Sequence, residues 1–557
     1  MADFLNIGLT GLMAAQAKLN VVSNNISNAD TPGYSRQTVI QTTQPSQYMG
    51  YGYQGLGARV TGVDRAYDQF LQRQLLQSQS QASYYQTYSD QIAPIDNLVA
   101  DPDAGLSTAM QQFFDAVQEV ADSPSDLAAR QSMLSQSNVL VNRFQLLAGQ
   151  LNEIDAGVEQ SLSLTAKDIT QYGQQIARLN QEIVRATGAG NGAAPNDLLD
   201  QRDQALAQLS QLVNVHAVID DKGMMTVFIG NGQALVQGVQ SATIAASPDP
   251  AQPSRSQITY QIGTGAAMVL PESQLSGGQL GALLDFRRQT LEPMQDQLGF
   301  VATALAAKFN EVHASGYGLD GSTGKSYFSG IDLSLPVQTT GSAGSAVSVP
   351  FASPLKLEAL RPDTYILSST NGTLTVTRQS DGTIFPNSNF PDLTQPIDGL
   401  DFSGVSLQPG ETAVIAPYRN AASSIGVAIT DPRQIAAAEE DPTGTVAPGS
   451  GPADNRNALA LAGIQTDKFL YDKTATLQSA YATAVATLGA KASEVKNGAS
   501  SSQALHDQIK AQYDNFAGVN LDEEAANLIR FQQAYLAASK VMQTSQKLFD
   551  AVLAIAG

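Results

Sequence analysis

Apolar residues recur every seven positions at both ends of the chain. Leu5, Leu12, Leu19 and Ile26 form one row near the N-terminus, widened by Leu9 and Val22. Leu521, Leu528, Tyr535, Met542 and Phe549 form another near the C-terminus, with Phe531, Ala538 and Val552 three residues after members of that row. A seven-residue repeat marks a helix seam that wants a helical partner. Both ends are therefore predicted to be helical and to pair. The N-terminal stretch alone should be unstable, since it is short and carries Gly8 and Gly11, each costing roughly 1 kcal/mol against Ala. The plainer alternative is a pair of ordinary amphipathic core helices.

Between the ends the pattern changes period several times. Ser27 to Tyr34 stops the first helix, because Pro32 disfavours helix at Thr31 and Pro32-Gly33 is a turn dipeptide. Ser35 to Thr43 and Gly55 to Asp64 read as short strands, and Tyr67 to Gly188 as helix broken near Asp101-Pro102 and Ser123-Pro124. Within it Val158, Leu162, Thr165, Ile169, Tyr172, Ile176, Leu179 and Ile183 alternate spacings of four and three, the a/d positions of a coiled coil, with Gly173 as the weak link. Asn196 is placed as the cap of a helix reaching Leu212. Residues 213–270 switch to period two, a small β insertion. Helix returns from Ser276 to Ala314, and 331–430 reads as a separate β domain. Asp441 to Asn455 is a linker. Helix dominates from Asn457 onward, with a break at Asn497 to Ser502 and another at Gly518 to Asn520.

The predicted fold class is thus multi-domain and mainly α, with inserted β domains. The terminal heptad helices pair, a long coiled-coil-like helical bundle fills the middle, and a β-rich domain lies outermost. Residues 1–40 with 515–557 make the terminal unit. Residues 41–212, 271–330 and 431–514 make the bundle, with 213–270 and 331–430 inserted.

Composition narrows the function. A chain of 557 residues suggests about three or four domains. Its net charge of −20 makes nucleic acid or an anionic membrane an unsuitable partner. Hydrophobic residues, at 43%, are enough to bury a sizeable core, and no apolar run is long enough to span a bilayer. With no cysteine, disulfides, thiolate nucleophiles and Cys–metal centres are excluded. His216, His313 and His506 lie too far apart in sequence to suggest a metal site. No cleaved signal peptide is expected, since no Lys or Arg precedes Lys18 and Asp3 stands where positive charge belongs.

Motifs for chemistry fail on context. Gly50 to Gly55 and Gly316 to Gly321 match a dinucleotide-type glycine pattern, but neither opens a helix where a phosphate would sit. Asp101 and Asp103 lack the downstream bidentate Glu of a calcium loop and fit a capping turn better. No catalytic constellation, cofactor site or metal site is assembled, and the chain reads as a non-enzyme.

The termini carry a resemblance. Asn24-Asn25-Ile26-Ser27-Asn28 followed by Thr31-Pro32-Gly33-Tyr34, together with Gly518 to Glu524 and Asn527-Leu528, resembles the two signatures of the bacterial flagellar rod, hook and hook-associated axial proteins. Ser35-Arg36-Gln37, Arg530-Phe531-Gln532-Gln533, Asn196 to Asp203 and Asp454 to Asn457 resemble the hook-associated members in particular, and Ser35-Arg36-Gln37 argues against the hook protein itself. The resemblance implies a secreted structural subunit at the junction of hook and filament, exported through the flagellar type III channel. It implies as partners copies of itself, the hook protein, a second junction protein or flagellin, and a cytoplasmic chaperone over the C-terminal helix. The assembly seam would be Leu5, Leu12, Leu19, Ile26, Leu521, Leu528, Phe531, Tyr535, Met542, Phe549 and Val552, and the signature turn Asn25, Thr31, Pro32, Gly33 and Tyr34. Two alternatives stay open: the hook protein or another axial subunit, or a type III-secreted adhesin or effector binding through its β domain.

Overall fold

The computed structural model describes every residue except 1, 49, 51, 100–104, 191, 331–333, 338–346, 354, 371–372, 387–391, 444–450 and 557, so Asp101 and Asp103 lie outside the described residues. The chain begins with α1 (Ala2–Ser27), which ends at the Pro32-Gly33 turn, where Gly33 takes a φ of +81°. Strands β1 (Gln37–Thr43), β2 (Gln47–Tyr48), β3 (Tyr53–Gln54) and β4 (Ala58–Arg65) follow as a long hairpin, β1 antiparallel to β4 and β2 to β3. Then come α2 (Gln69–Val99), α3 (Leu106–Asp122), the 63-residue α4 (Leu127–Ala189) and α5 (Asn196–Leu212).

Strands β5 (Val215–Ile219), β6 (Met225–Ile229), β7 (Gln233–Gln237), β8 (Gln240–Asp249), β9 (Gln252–Ile262) and β10 (Met268–Val269) form an antiparallel meander in sequence order. It covers one face of α4. Thr170 Oγ1 donates to the Ile244 carbonyl at 2.9 Å, and Asn180 Nδ2 donates to the carbonyls of Met225 and Gly238, each at 2.7 Å. The row from Val158 to Ile183 is buried or half-buried, but sheet as well as α5 covers it, where the spacing predicts a second long helix. Gly173 has a reason there: a Cβ would stand 3.1 Å from Leu235 Cγ, so the missing side chain lets the sheet approach. Asn196 is not the cap, which is Pro195. Its side chain reaches back to the Val63 carbonyl at 2.8 Å.

After α6 (Gly278–Phe286) a π turn over Arg287–Leu291 leads into α7 (Glu292–Ser315). Strand β11 (Phe328–Ser329) precedes the outer strands β12 (Ser334–Val337), β13 (Val347–Pro350), β14 (Tyr365–Thr370), β15 (Thr373–Arg378), β16 (Ile384–Phe385) and β17 (Thr412–Ile415). β14 to β17 make one sheet ordered β16-β15-β14-β17. The chain returns through α8 (Ala421–Ser424), β18 (Gly426–Val427), which pairs with β11, and α9 (Arg456–Gly463). The buried apolar residues are continuous: Phe113 packs on Phe309 and Phe328 in the helical body, Phe300 on Tyr418, and Tyr365 on Phe402 beneath the outer sheet.

Last come α10 (Leu477–Ala517) and α11 (Leu521–Ala556), separated at Gly518–Asn520 as the sequence predicts. The predicted break at Asn497 to Ser502 is absent, and α10 runs through it. A Cβ on Gly498 would stand 2.6 Å from the Tyr85 ring, so the glycine marks close packing against α2 rather than an end. The two helices run antiparallel: Ser78 meets His506, Tyr85 meets Gly498 and Asp96 meets Gly489.

Candidate assembly interface

α1 and α11 pack against each other as an antiparallel pair. A Cβ on Gly11 would stand 3.8 Å from Ala538 Cβ, Lys18 Nζ lies 5.4 Å from the Phe531 ring centre, and Asn25 Nδ2 donates to Glu524 Oε2 at 3.1 Å. Each step of seven along α1 is matched by seven back along α11, the register a heptad seam requires. Gly8 lies one turn beyond Gly11, where a Cβ would meet Met542 Cγ at 3.2 Å and Val541 Cγ1 at 3.3 Å. The two glycines that weaken α1 alone are thus the close-contact points of the pair.

The most buried residues of α1 are Gly8, Ala14, Ala15, Val22 and Asn25. The seven-spaced leucines flank this line: Leu12, Leu19 and Ile26 are half-buried and Leu5 is exposed. On α11, Leu528, Phe531, Tyr535 and Met542 are half-buried against α1, whereas Leu521, Phe549 and Val552 are 54%, 51% and 48% exposed. A helix carrying seven-spaced residues has several such rows, and the closest contact chose the small one (Gly8, Ala15, Val22) over the bulky one.

The signature turn closes the pair onto the body. Asn25 is buried and saturated: its Nδ2 donates to Glu524 and to the Gln37 carbonyl at 2.9 Å, and its Oδ1 accepts from Tyr34 OH at 2.8 Å and the Gln37 amide at 3.0 Å. Burial, with Asp200 and Glu524 nearby, pushes the Tyr34 hydroxyl up to about 12, so it stays a donor. Thr31, Pro32 and Gly33 are exposed and act through backbone shape. Arg36 joins three elements: its amide donates to the Ala517 carbonyl, its carbonyl accepts from Ala66, and its guanidinium pairs with Glu523 at 2.7 Å.

The run Asn196 to Asp203 is the other half of the joint. Asp200 accepts from the Ser35 amide at 3.1 Å and from Arg65 at 2.8 Å, while Arg65 also holds Asp203 at 2.6 Å. All three charged side chains are less than a tenth exposed. Burial would lower the Arg65 pKa, but the two carboxylates outweigh it and raise it. For Asp203 burial wins and raises the carboxyl despite Arg65. Arg202 turns away, donating to Asn180 Oδ1 and the Gly223 carbonyl, and so ties α5 to α4 and the meander. Sequence reasoning quoted this run for its likeness without seeing that it clamps the hairpin. Its alternating Asp and Arg on a helix was the available signal.

Asp454 to Asn457 works in the same way: Asp454 accepts from the Glu439 and Glu440 amides, and Asn455 donates to the Ala121 carbonyl at 2.6 Å. Among the described residues no group of His, Asp or Glu could hold a metal, and no helix is long and apolar enough to cross a membrane.

Comparison with known proteins follows this division. Residues 5–34 match the flagella basal body rod protein model and 510–555 the flagellar basal body rod FlgEFG protein C-terminal model, while 92–328 match the flagellar hook-associated protein FlgK helical domain. The flagellar hook-associated protein 1 of Salmonella typhimurium is 37% identical over 559 residues, covering all of both chains. The chain belongs to the flagellar hook-associated protein 1 family. That of Bacillus subtilis is 24% identical, covering 97% of this chain and 96% of its own. The solved flagellar hook junction protein FlgK from Burkholderia pseudomallei superposes with a TM-score of 0.70 at 27% identity, covering 79% of this chain and 99% of that one. Like other members of the hook-associated protein 1 family, the chain is a structural, axial component of the flagellum. Its terminal pair belongs to the part this family shares with rod proteins.

Proposed function

We propose that the chain is the subunit that forms the junction between hook and filament and so allows flagellin to polymerise on the hook. One observation carries this reading. Both ends match models of rod proteins, but the middle, 92–328, matches the helical domain of the hook-associated proteins. A hook subunit or another axial protein would share the ends and not the middle. No observation favours the secreted-effector alternative.

In this reading residues 1–40 with 515–557 are the polymerisation unit and pack with other copies to continue the tube. The seam from Leu5 to Val552 supports it, because Leu521, Ile529, Leu536, Phe549 and Val552 are exposed on α11. Apolar side chains in that number need a cover, neighbouring copies after assembly and a cytoplasmic chaperone before export. The body from 41 to 514 supplies the surfaces that face hook protein on one side and a second junction protein or flagellin on the other. A chain free of disulfides suits export through the flagellar type III channel.

Deleting the gene tests the proposal. Cells should build hooks, export flagellin and release it unpolymerised into the medium. The full chain supplied back should restore filaments, and a chain lacking Asn520 to Gly557 should not. Filaments of normal length in the deletion strain would refute the junction role and favour the effector alternative.

A further inference from the structure

The six-stranded meander has a long free edge. Among the described residues β5 pairs only with β6, and no other strand covers its far side. Asp220 donates its amide to the Met224 carbonyl at 2.9 Å, so residues 218 and 216 bond inward in the alternation of an antiparallel ladder. The Met225 amide and carbonyl, opposite Ile219, are both taken by Asn180, which confirms that phase. The backbone groups of Val215, Ala217 and Ile219 therefore face outward, where an added strand would bond.

These residues line a groove of about 550 Å³ between β5 and the start of α2. Its floor holds Leu76, Leu206 and Met225, and Phe70, 65% exposed, stands on the wall. Gln72, a buried wall residue, has an Oε1 with no hydrogen-bond partner. An open strand edge and an apolar floor together describe a seat for an extended, tyrosine-bearing segment.

The chain carries such a segment. The tip of the β1–β4 hairpin presents Tyr48 and Tyr53, 62% and 78% exposed, with rings in edge contact at 5.5 Å. It cannot reach its own groove. Gly57 is packed against Thr10 of α1, about 22 Å along that helix from Asn25, whereas the groove begins just after β4 returns to the body. Charge agrees: Gln37 to Gly57 contains no charged residue, and Arg73 is the sole Asp, Glu, Lys or Arg on the groove wall. In a chain of net charge −20 these are surfaces on which two copies meet without opposed carboxylates.

We propose that the groove between α2 and the β5 edge receives the hairpin tip, strands β2 (Gln47–Tyr48) and β3 (Tyr53–Gln54), of a second copy of this chain. The tip adds a seventh strand to the meander and sets tyrosine over the Leu76–Leu206–Met225 floor. This rests on the junction reading, since only an assembly brings one copy's tip to another's body.

The absence of cysteine makes the test clean. Cells co-express one chain carrying Tyr53→Cys and another carrying Phe70→Cys, and isolated hook–filament junctions are treated with a short bismaleimide. A linked dimer is expected, absent when Tyr53→Cys is paired with Leu459→Cys elsewhere on the body. Adding Ala217→Pro to the Phe70→Cys chain removes one outward amide at an edge that tolerates proline, and should cut the dimer at least tenfold. Restored filaments without a Tyr53–Phe70 link would overturn the proposal and leave the junction reading standing. Linkage within one chain, or capture of hook protein or flagellin by a photoreactive maleimide on Phe70→Cys, would overturn it too. Should the cysteine strains build no filaments, Tyr53→Ala alone decides, and filaments as long as the parent's from that chain would count against the proposal too.

Discussion

Asn25 shows how much one side chain fixes. It satisfies both Gln37 backbone groups and holds Glu524 across the terminal pair, so Asn25→Ala strands a buried carboxylate and two peptide groups. The loss should be about 1–3 kcal/mol, confined to docking of α1 on α11. Proteolysis should release the ends sooner in the variant, while the melt of the body stays put. His313 makes a different prediction. Its Nε2 accepts the Ala436 amide at 3.0 Å, so Nδ1 carries the proton and donates to the Lys325 carbonyl at 2.8 Å. Burial lowers its pKa below the ordinary histidine value of about 6.5. The unfolded chain then takes up a proton first, so the stability from this site is full above about pH 6.5 and declines as pH falls. Thermal melts at pH 7.5 and 5.5 should differ less for His313→Gln than for the parent. That comparison isolates His313 from Asp203 and Glu292, whose raised pKa values act in the opposite sense.

At the scale of elements, apolar spacing was legible and its partner was not. The terminal heptads, the Pro32-Gly33 stop and the period-two stretch of 213–270 all follow from residue patterns. What lay opposite each row does not. The seam of α4 has a helix-pairing pattern, yet the meander serves equally well as cover, because burial is indifferent to what excludes water. Glycines misled for the same reason. Propensity treats Gly8, Gly173 and Gly498 as weak points, whereas each marks a close approach that only the folded chain reveals. The α10 glycines separate the two effects. Gly489→Ala faces only Asp96 Oδ1 at 3.8 Å and should stabilise by about 0.5–1 kcal/mol, the usual gain in an open helix. Gly498→Ala must displace the Tyr85 ring and should lower the melting temperature despite the same gain in propensity. Equal shifts in the two melts would show that Tyr85 yields freely.

For the whole molecule, the body and the terminal pair should differ in stability. The body has a continuous apolar core, whereas α1 and α11 meet along one narrow line and leave bulky side chains in water. Helices supported on one side are marginal. Limited proteolysis of dilute monomer should therefore trim residues 1–40 and 515–557 and leave one resistant fragment. Equal resistance at the ends would show the pair to be self-sufficient. The site was less legible than the fold, because Arg65 stands 135 positions before Asp200 and farther still from Asp203, and no local pattern announces that pairing. That joint has a mechanical consequence. A rotating shaft loads every connection in shear, and a purely greasy contact slides because it has no preferred direction. Arg65 pulls against two carboxylates on successive turns of α5, and the Ser35 amide holds Asp200 as well, so slip between hairpin and α5 stretches two ion pairs and a hydrogen bond. Salt screens a pair this deeply covered far less than one at the surface. The joint between hairpin and α5 should therefore keep the same stiffness in fresh water and in brine.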